Sequence, residues 1–225
     1  VPPRAPSNGA SGRGARGPRR ISPPRMPAEL TYKLTGRWGA FFDAVQNYCV
    51  ELAARTERKE TGAARLIWYA TLALLRCVAS SPAAAEKALT TRLAGTREEL
   101  EALADEDRVL DGTPDELAPT DIEPAAQLED AERLAALIDE ARALAGDSGD
   151  PKLATLIQHL RGLIDAGFRP VVFCRYVATA HYVAEHLRKH LPDATVDAVT
   201  GEYTPEEREL RVAELGAESN PRPVL

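Results

Sequence analysis

Gly167-Phe-Arg-Pro-Val-Val-Phe-Cys-Arg-Tyr-Val-Ala-Thr-Ala180 is the stretch that decides the fold. An apolar run, Val171 to Cys174, ends in polar Arg175 and Tyr176 and passes directly into a helix-forming segment. A strand followed at once by a helix puts polar side chains at the strand's carboxyl end, where open α/β sheets receive their ligands. The run shows no polar alternation, as expected of a parallel strand with helices over both faces. Upstream, Leu153, Leu156, Ile157, Leu160, Leu163 and Ile164 form a helical stripe that Gly167 ends as a C-cap. Downstream, Ala180, Val183, Ala184, Leu187 and Leu191 predict another helix, stopped by Pro192-Asp193. Val196-Asp-Ala-Val-Thr-Gly-Glu-Tyr-Thr-Pro-Glu-Glu-Arg208 then completes a strand over 195–199, makes a glycine turn and opens a helix at Thr204. Thr204 as N-cap, Pro205 at the first helical position and Glu207 at the third specify that start closely. Strands alternating with helices of this length imply βαβ crossovers and a parallel sheet.

Further toward the amino terminus the pattern is helical. Glu29 to Thr35 alternates weakly, which predicts a short strand. Trp38, Phe41, Phe42, Val45, Tyr48, Cys49 and Leu52 recur every three or four residues and predict an amphipathic helix. The next segment, about 63–79, is apolar nearly all round and is expected at the buried centre of a bundle. Both tryptophans, Trp38 and Trp68, read as core residues. Ser81-Pro82 pairs an N-cap with proline at the first helical position, so a third helix starts there. Thr96-Arg-Glu-Glu99 has capping-box form and predicts a fourth. Gly112, Pro114, Pro119 and Pro124 interrupt 107–124. A long acidic helix follows, with Leu128, Ala131, Leu134, Ala135, Ile138 and Ala145 on one face. Residues 1–28 are rich in Pro, Gly, Ser and Arg and are expected to stay disordered, as a linker or as a basic arm against phosphates.

Charge is unevenly spread along a chain of net charge −6. Residues 1–30 carry six arginines against Glu29 alone, a balance of +5. Residues 96–150 carry 18 acids against four arginines, a balance of −14. The whole therefore offers no general basic attraction to nucleic acid, and any such contact must be local. Cys49, Cys77 and Cys174 are far apart and set among apolar residues, which reads as reduced core thiols in a cytoplasmic protein. The most apolar run, Leu66 to Leu75, is too short to span a bilayer. His186 and His190 are four apart on one predicted helix, with His181 nearby, a spacing that could hold zinc, but no cysteine pair or HExxH pattern joins them, so they read as surface histidines.

Two features together resemble the start of the second RecA-like lobe of superfamily-two helicases, particularly Swi/Snf-type and RapA-like ATPases. One is Val171-Val-Phe-Cys-Arg-Tyr176, similar to the family's motif IV. The other is Thr200-Gly201 followed at the family's spacing by Glu207-Arg208. Residues 72–85 also look like the helical region that precedes lobe two in RapA-like proteins. The resemblance implies an α/β fold: a partial RecA-like parallel three-layer lobe over 148–225, a helical region over 29–147, and the disordered arm 1–28. It also implies that Arg175, Tyr176, Thr200, Gly201 and Arg208 face a nucleic-acid backbone. Arg175 would pair with a phosphate, and Gly201 would allow close backbone approach. Arg208 would lie near nucleic acid or, alternatively, form a structural bridge.

For an intact parent the resemblance implies ATP and Mg²⁺ at a cleft between lobes and movement along duplex DNA, with RNA left open as the track. It further implies the first lobe and the rest of the second as partners, and no membrane. The chain itself holds no Gly-x-x-x-x-Gly-Lys-Ser/Thr loop to cradle a triphosphate and no Asp-Glu-x-His motif to hold magnesium. It begins with Val and ends at Pro223-Val-Leu225, inside a strand-like run, which predicts a fragment with no catalytic residue, cofactor or metal of its own. The alternative from another class is a helical interaction or regulatory module with a degenerate α/β tail, its acidic helix serving as the partner surface.

Overall fold

Apolar residues at three- and four-residue spacing coil Gly36–Thr56 into helix α1 of the computed structural model. The structure describes residues 29, 31, 33, 35–56, 61–94, 128–217 and 222–225. Helix α2 runs Thr61–Ser80, α3 Pro82–Ala94 and α4 Leu128–Ala143. Then come α5 (Pro151–Asp165), α6 (Val177–His190), β1 (Thr195–Val196), α7 (Pro205–Leu215) and β2 (Pro223–Val224). Residues 29, 31, 33 and 35 are in no strand, so the expected strand there does not form among the described residues. The expected disordered arm, the capping box at 96–99 and the interrupted stretch 107–124 all lie outside the described residues. None of the described helices is long and apolar enough to cross a membrane.

The described residues from 33 onward form one compact unit with two cores. The first joins α1 to α4 around Trp38, Val45, Val78, Leu89 and Leu134. Its α4 face is Leu134, Leu137, Ile138, Ala141 and Leu144, whereas Ala135 and Ala145, expected on that face, are exposed. Several acids of this segment are engaged within the chain. Glu140 accepts from Arg37 at 2.9 and 3.1 Å, and Asp130 accepts from Arg55 at 3.0 and 3.2 Å. Helix α4 in turn sends Arg133 to Glu51 and Arg142 to Glu86. Solvent screens the exposed pairs among these, so they set how α4 lies on α1 and α3 more than they hold it there. Helix α2 is less central than its composition predicts. Trp68 is 53% exposed, while Trp38 is buried. Ser81 caps α3 as expected, its Oγ accepting from the Ala84 N–H at 3.1 Å.

The second core packs Leu153, Ile157 and Leu160 of α5 against Val183 and Leu187 of α6, with Val196 and Val224 from the strands. Strands β1 and β2 are parallel, with Thr195 opposite Pro223 and Val196 opposite Val224. This parallel pairing agrees with the expected sheet, but the sheet is much smaller and the described chain mostly helical. Val171–Cys174 is no regular strand. It makes only one parallel bridge's worth of bonds: Leu225 N–H to Pro170 C=O at 3.3 Å, and Val172 N–H to Leu225 C=O at 2.7 Å. β2 and Leu225 lie between this segment and β1. Coverage on both faces also fails. Val172 and Cys174 pack on the second core, but Val171 is 51% and Phe173 93% exposed, since α7 buries only Leu215.

The two cores meet at a buried polar seam. Asp150 caps α5 by accepting from the Lys152 and Leu153 N–H groups, and its other oxygen accepts from the Tyr182 hydroxyl of α6 at 3.2 Å. That hydroxyl accepts from the Gly146 N–H at 3.0 Å, where the chain turns at φ 100° after α4. Thr179 of α6 shares hydroxyl bonds of 2.8 Å with Ser80 and Ser81, and Lys152 Nζ donates to the Ala79 and Ser80 carbonyls ending α2. Burial holds the Asp150 carboxyl above its ordinary range, against the opposing pull of the Leu153 and Tyr182 bonds. The native chain therefore keeps that proton more readily than the unfolded chain, and this group's contribution to stability falls as pH rises from the ordinary carboxylate range to the raised value. Asp150→Ala is expected to cost about 2 kcal/mol in denaturant unfolding, roughly 1 from the cap and 1 from the hydroxyl bond. Asp150→Asn, which keeps the capping oxygen, should cost less and remove that pH slope.

Candidate functional site

The carboxyl ends of the two extended segments and the start of α7 surround one cleft of about 440 Å³. Its walls are 171–176 and 196–201, and Ala180, Val183 and Leu187 of α6 supply apolar side chains between them. Arg208 and Val212 of α7 line it as well, and β2 enters it end-on through Val224 and Leu225. All five residues singled out in the sequence, Arg175, Tyr176, Thr200, Gly201 and Arg208, line this cleft. They come from three segments spanning 34 positions of sequence, as Arg208 minus Arg175 plus one counts them.

Their local settings differ. Arg175 is exposed, with its guanidinium 5.8 Å from the Tyr176 ring centre, and Tyr176 itself packs on the first core. Helix α6 starts beside them with no side-chain cap. Thr200 is buried, and its hydroxyl donates to Glu202 Oε2 at 3.2 Å, so it first of all shapes the turn. Gly201 is exposed, and a Cβ placed on it meets nothing within 4 Å. Nothing in this chain therefore requires glycine at 201. Arg208 is exposed and makes no ion pair among the described residues, so the structural bridge considered for it is not formed there. The capping box at α7 forms as expected: Thr204 Oγ1 accepts from the Glu207 N–H at 3.2 Å, and Glu207 Oε2 accepts from the Thr204 N–H at 2.8 Å. This fills the positive end of α7 with the chain's own carboxylate.

Sequence reasoning missed the ionic clamp beside the cleft. Asp197 accepts from Arg211 at 3.0 Å and from Arg188 at 3.4 Å, tying α7 and α6 to the end of β1. Arg211 also stacks on Tyr203, 4.2 Å from the ring centre. Partners brought together from separate elements leave no periodic trace. His181 was missed as a partner too. Its Nε2 lies 2.7 Å from Glu202 Oε2, and that bond, then the one from Thr200, holds the Glu202 carboxyl below its ordinary range. His190 lies 3.2 Å from Asp147, and His186 meets Tyr182 edge-on and stacks with His190 at 6.3 Å, while His181 turns instead to Glu202.

Among the described residues no group of three His, Cys, Asp or Glu side chains could hold a metal, and the sequence has no P-loop. No family model, curated protein or solved structure matches this chain. The site is thus defined by its own geometry: an apolar slot with two arginines at its rim. A carboxyl titration followed by NMR should find Glu202 ionising below the usual range, and His181→Ala should move it up. The sign follows from a lowered folded value: this group's stabilising contribution is present above the ordinary carboxylate range and is lost as pH falls through the folded value.

Proposed function

We propose that residues 148–225 contribute part of lobe two of an ATP-dependent, Swi/Snf- or RapA-like DNA translocase. The rim of the cleft serves as a piece of its nucleic-acid groove. One observation carries the reading: Arg175, Tyr176, Thr200, Gly201 and Arg208, picked out by their resemblance to the family's motifs, converge on one cleft. Two exposed guanidinium groups and an uncapped helix start stand at that rim, a set of donors suited to phosphate oxygens. ATP and Mg²⁺ belong to the parent protein in this reading, and the chain alone turns over no nucleotide. The rival reading of α4 as an acidic docking helix is weakened by Asp130 and Glu140, whose carboxylates already pair with Arg55 and Arg37.

Fluorescence anisotropy with a labelled duplex oligonucleotide, repeated over a range of salt, tests this. Arg175→Ala and Arg208→Ala should each weaken binding uniformly across sequences and lower the log–log salt slope by about 1. Gly201→Val should weaken binding with little change in melting temperature, because open space receives its side chain. Identical isotherms for all four proteins would remove the nucleic-acid role from this rim.

A further inference from the structure

Helix α7 has little apolar anchorage, because Leu215 is its one buried side chain. Arg208 leaves from the exposed part of that helix, so its place at the cleft depends on what else fixes α7. Near the carboxyl end Arg169 donates to the Gly216 carbonyl at 3.4 Å. Midway along, the fixed point is Asp197. Its backbone is held in the β1–β2 ladder, where its N–H donates to the Val224 carbonyl at 3.1 Å. Carboxylate Oδ1 accepts from the Ala198 N–H at 2.9 Å and from Arg188 Nη2 at 3.4 Å. Arg188 is itself steadied, its Nε donating to the Val196 carbonyl at 3.0 Å. Oδ2 accepts from Arg211 Nη1 of α7 at 3.0 Å, and that guanidinium lies over the Tyr203 ring, 4.2 Å from its centre. Arg211 is thus gripped by a carboxylate and a ring that both belong to the β1 side. Arg208 is three residues earlier and shares that side of the helix. Pinning Arg211 therefore carries Arg208 to the cleft, which it lines together with Val212.

We propose that Asp197 is the positioning residue for Arg208: its carboxylate sets how α7 lies across the cleft and so presents the Arg208 guanidinium at the same rim as Arg175. This role rests on the reading of that rim as a phosphate-binding edge. It adds the reason why Arg208 is held there instead of moving with a solvated helix. An exposed ion pair is weak, but a helix with one buried side chain has little else to fix its orientation, so weak bonds decide it. The role also has a distinctive sign. Asp197 is an acid beside a surface that receives an anion, so on charge alone its removal strengthens binding. Releasing Arg211 adds a further cation within the same helix, which again strengthens binding. Positioning demands the opposite: without Asp197, Arg208 loses its place and binding weakens.

Asp197→Asn in the full chain tests this, because it keeps Oδ1 for the Ala198 N–H and replaces the oxygen that holds Arg211 by an amide nitrogen, which cannot accept. In anisotropy titrations with the labelled duplex it should weaken binding and lower the log–log salt slope by about 1, as Arg208→Ala does. The double variant Asp197→Asn/Arg208→Ala should bind within about twofold of either single one, whereas Arg175→Ala should add its full loss in both backgrounds. Equal or tighter binding by Asp197→Asn overturns the proposal, and so does full additivity with Arg208→Ala. Hydrogen exchange followed by mass spectrometry reads α7 without any ligand. Amides of 205–215 should exchange about threefold faster or more in Asp197→Asn, with those of α5 unchanged. Faster exchange in α5 as well makes Asp197 a general stabiliser of the fold and overturns the positioning role. If the unsubstituted chain binds no duplex, the rim reading falls by itself, and hydrogen exchange alone then judges Asp197: an unchanged α7 overturns its hold on that helix, and a faster one upholds it.

Discussion

The buried Asp150 carboxylate holds this structure's two halves in one arrangement. Its two oxygens accept from the first turn of α5 and from the hydroxyl of Tyr182 on α6, and that hydroxyl in turn fixes Gly146 after α4. Three segments thus share one group that water does not reach, and each bond made there replaces solvation that burial has removed. Thr179, one turn before Tyr182 on α6, repeats the device with Ser80 and Ser81. Polar bonds of this kind contribute little net free energy, but leaving one unmade is costly, so they select a single docking of two apolar cores.

Helix α6 carries that docking through to the cleft. Thr179 and Tyr182 hold its seam side, while Val183 and Leu187 lie in the second core and line the cleft. The rim arginines therefore stand in a frame fixed from below by the helical core. The Asp197 clamp completes the frame from the other side, tying β1 to α6 through Arg188 and to α7 through Arg211. With Arg211 engaged by Asp197 and Tyr203, Arg208 one turn earlier is the α7 cation that remains exposed at the cleft.

The same frame leaves the sheet narrow. A parallel sheet gains stability from helices on both faces and from partners along both edges of every inner strand. Here one face of 171–174 is covered and the other is exposed, and the β1–β2 ladder spans two residue pairs. The described chain is accordingly a helical structure with a small parallel sheet, rather than the broad three-layer lobe that the alternation of elements suggested.

Local chemistry determined much of this by itself. The Ser81 and Thr204 caps, the Gly167 turn and the apolar stripes of α1, α5 and α6 follow from contacts within a few residues, and all are present. The convergence of Arg175, Thr200 and Arg208 was also legible, because strand ends and helix starts in βαβ units gather on one edge. Tertiary structure alone decided the rest. Asp150 reads in sequence as a break in a pattern, Asp197 as one more strand residue, and Trp68 as core. What each became depended on which distant surface met it: Tyr182 across 32 positions for Asp150, Arg211 across 14 for Asp197, while Trp68 stays about half exposed. Periodicity tells a side chain which face it is on, but only packing tells that face what it touches.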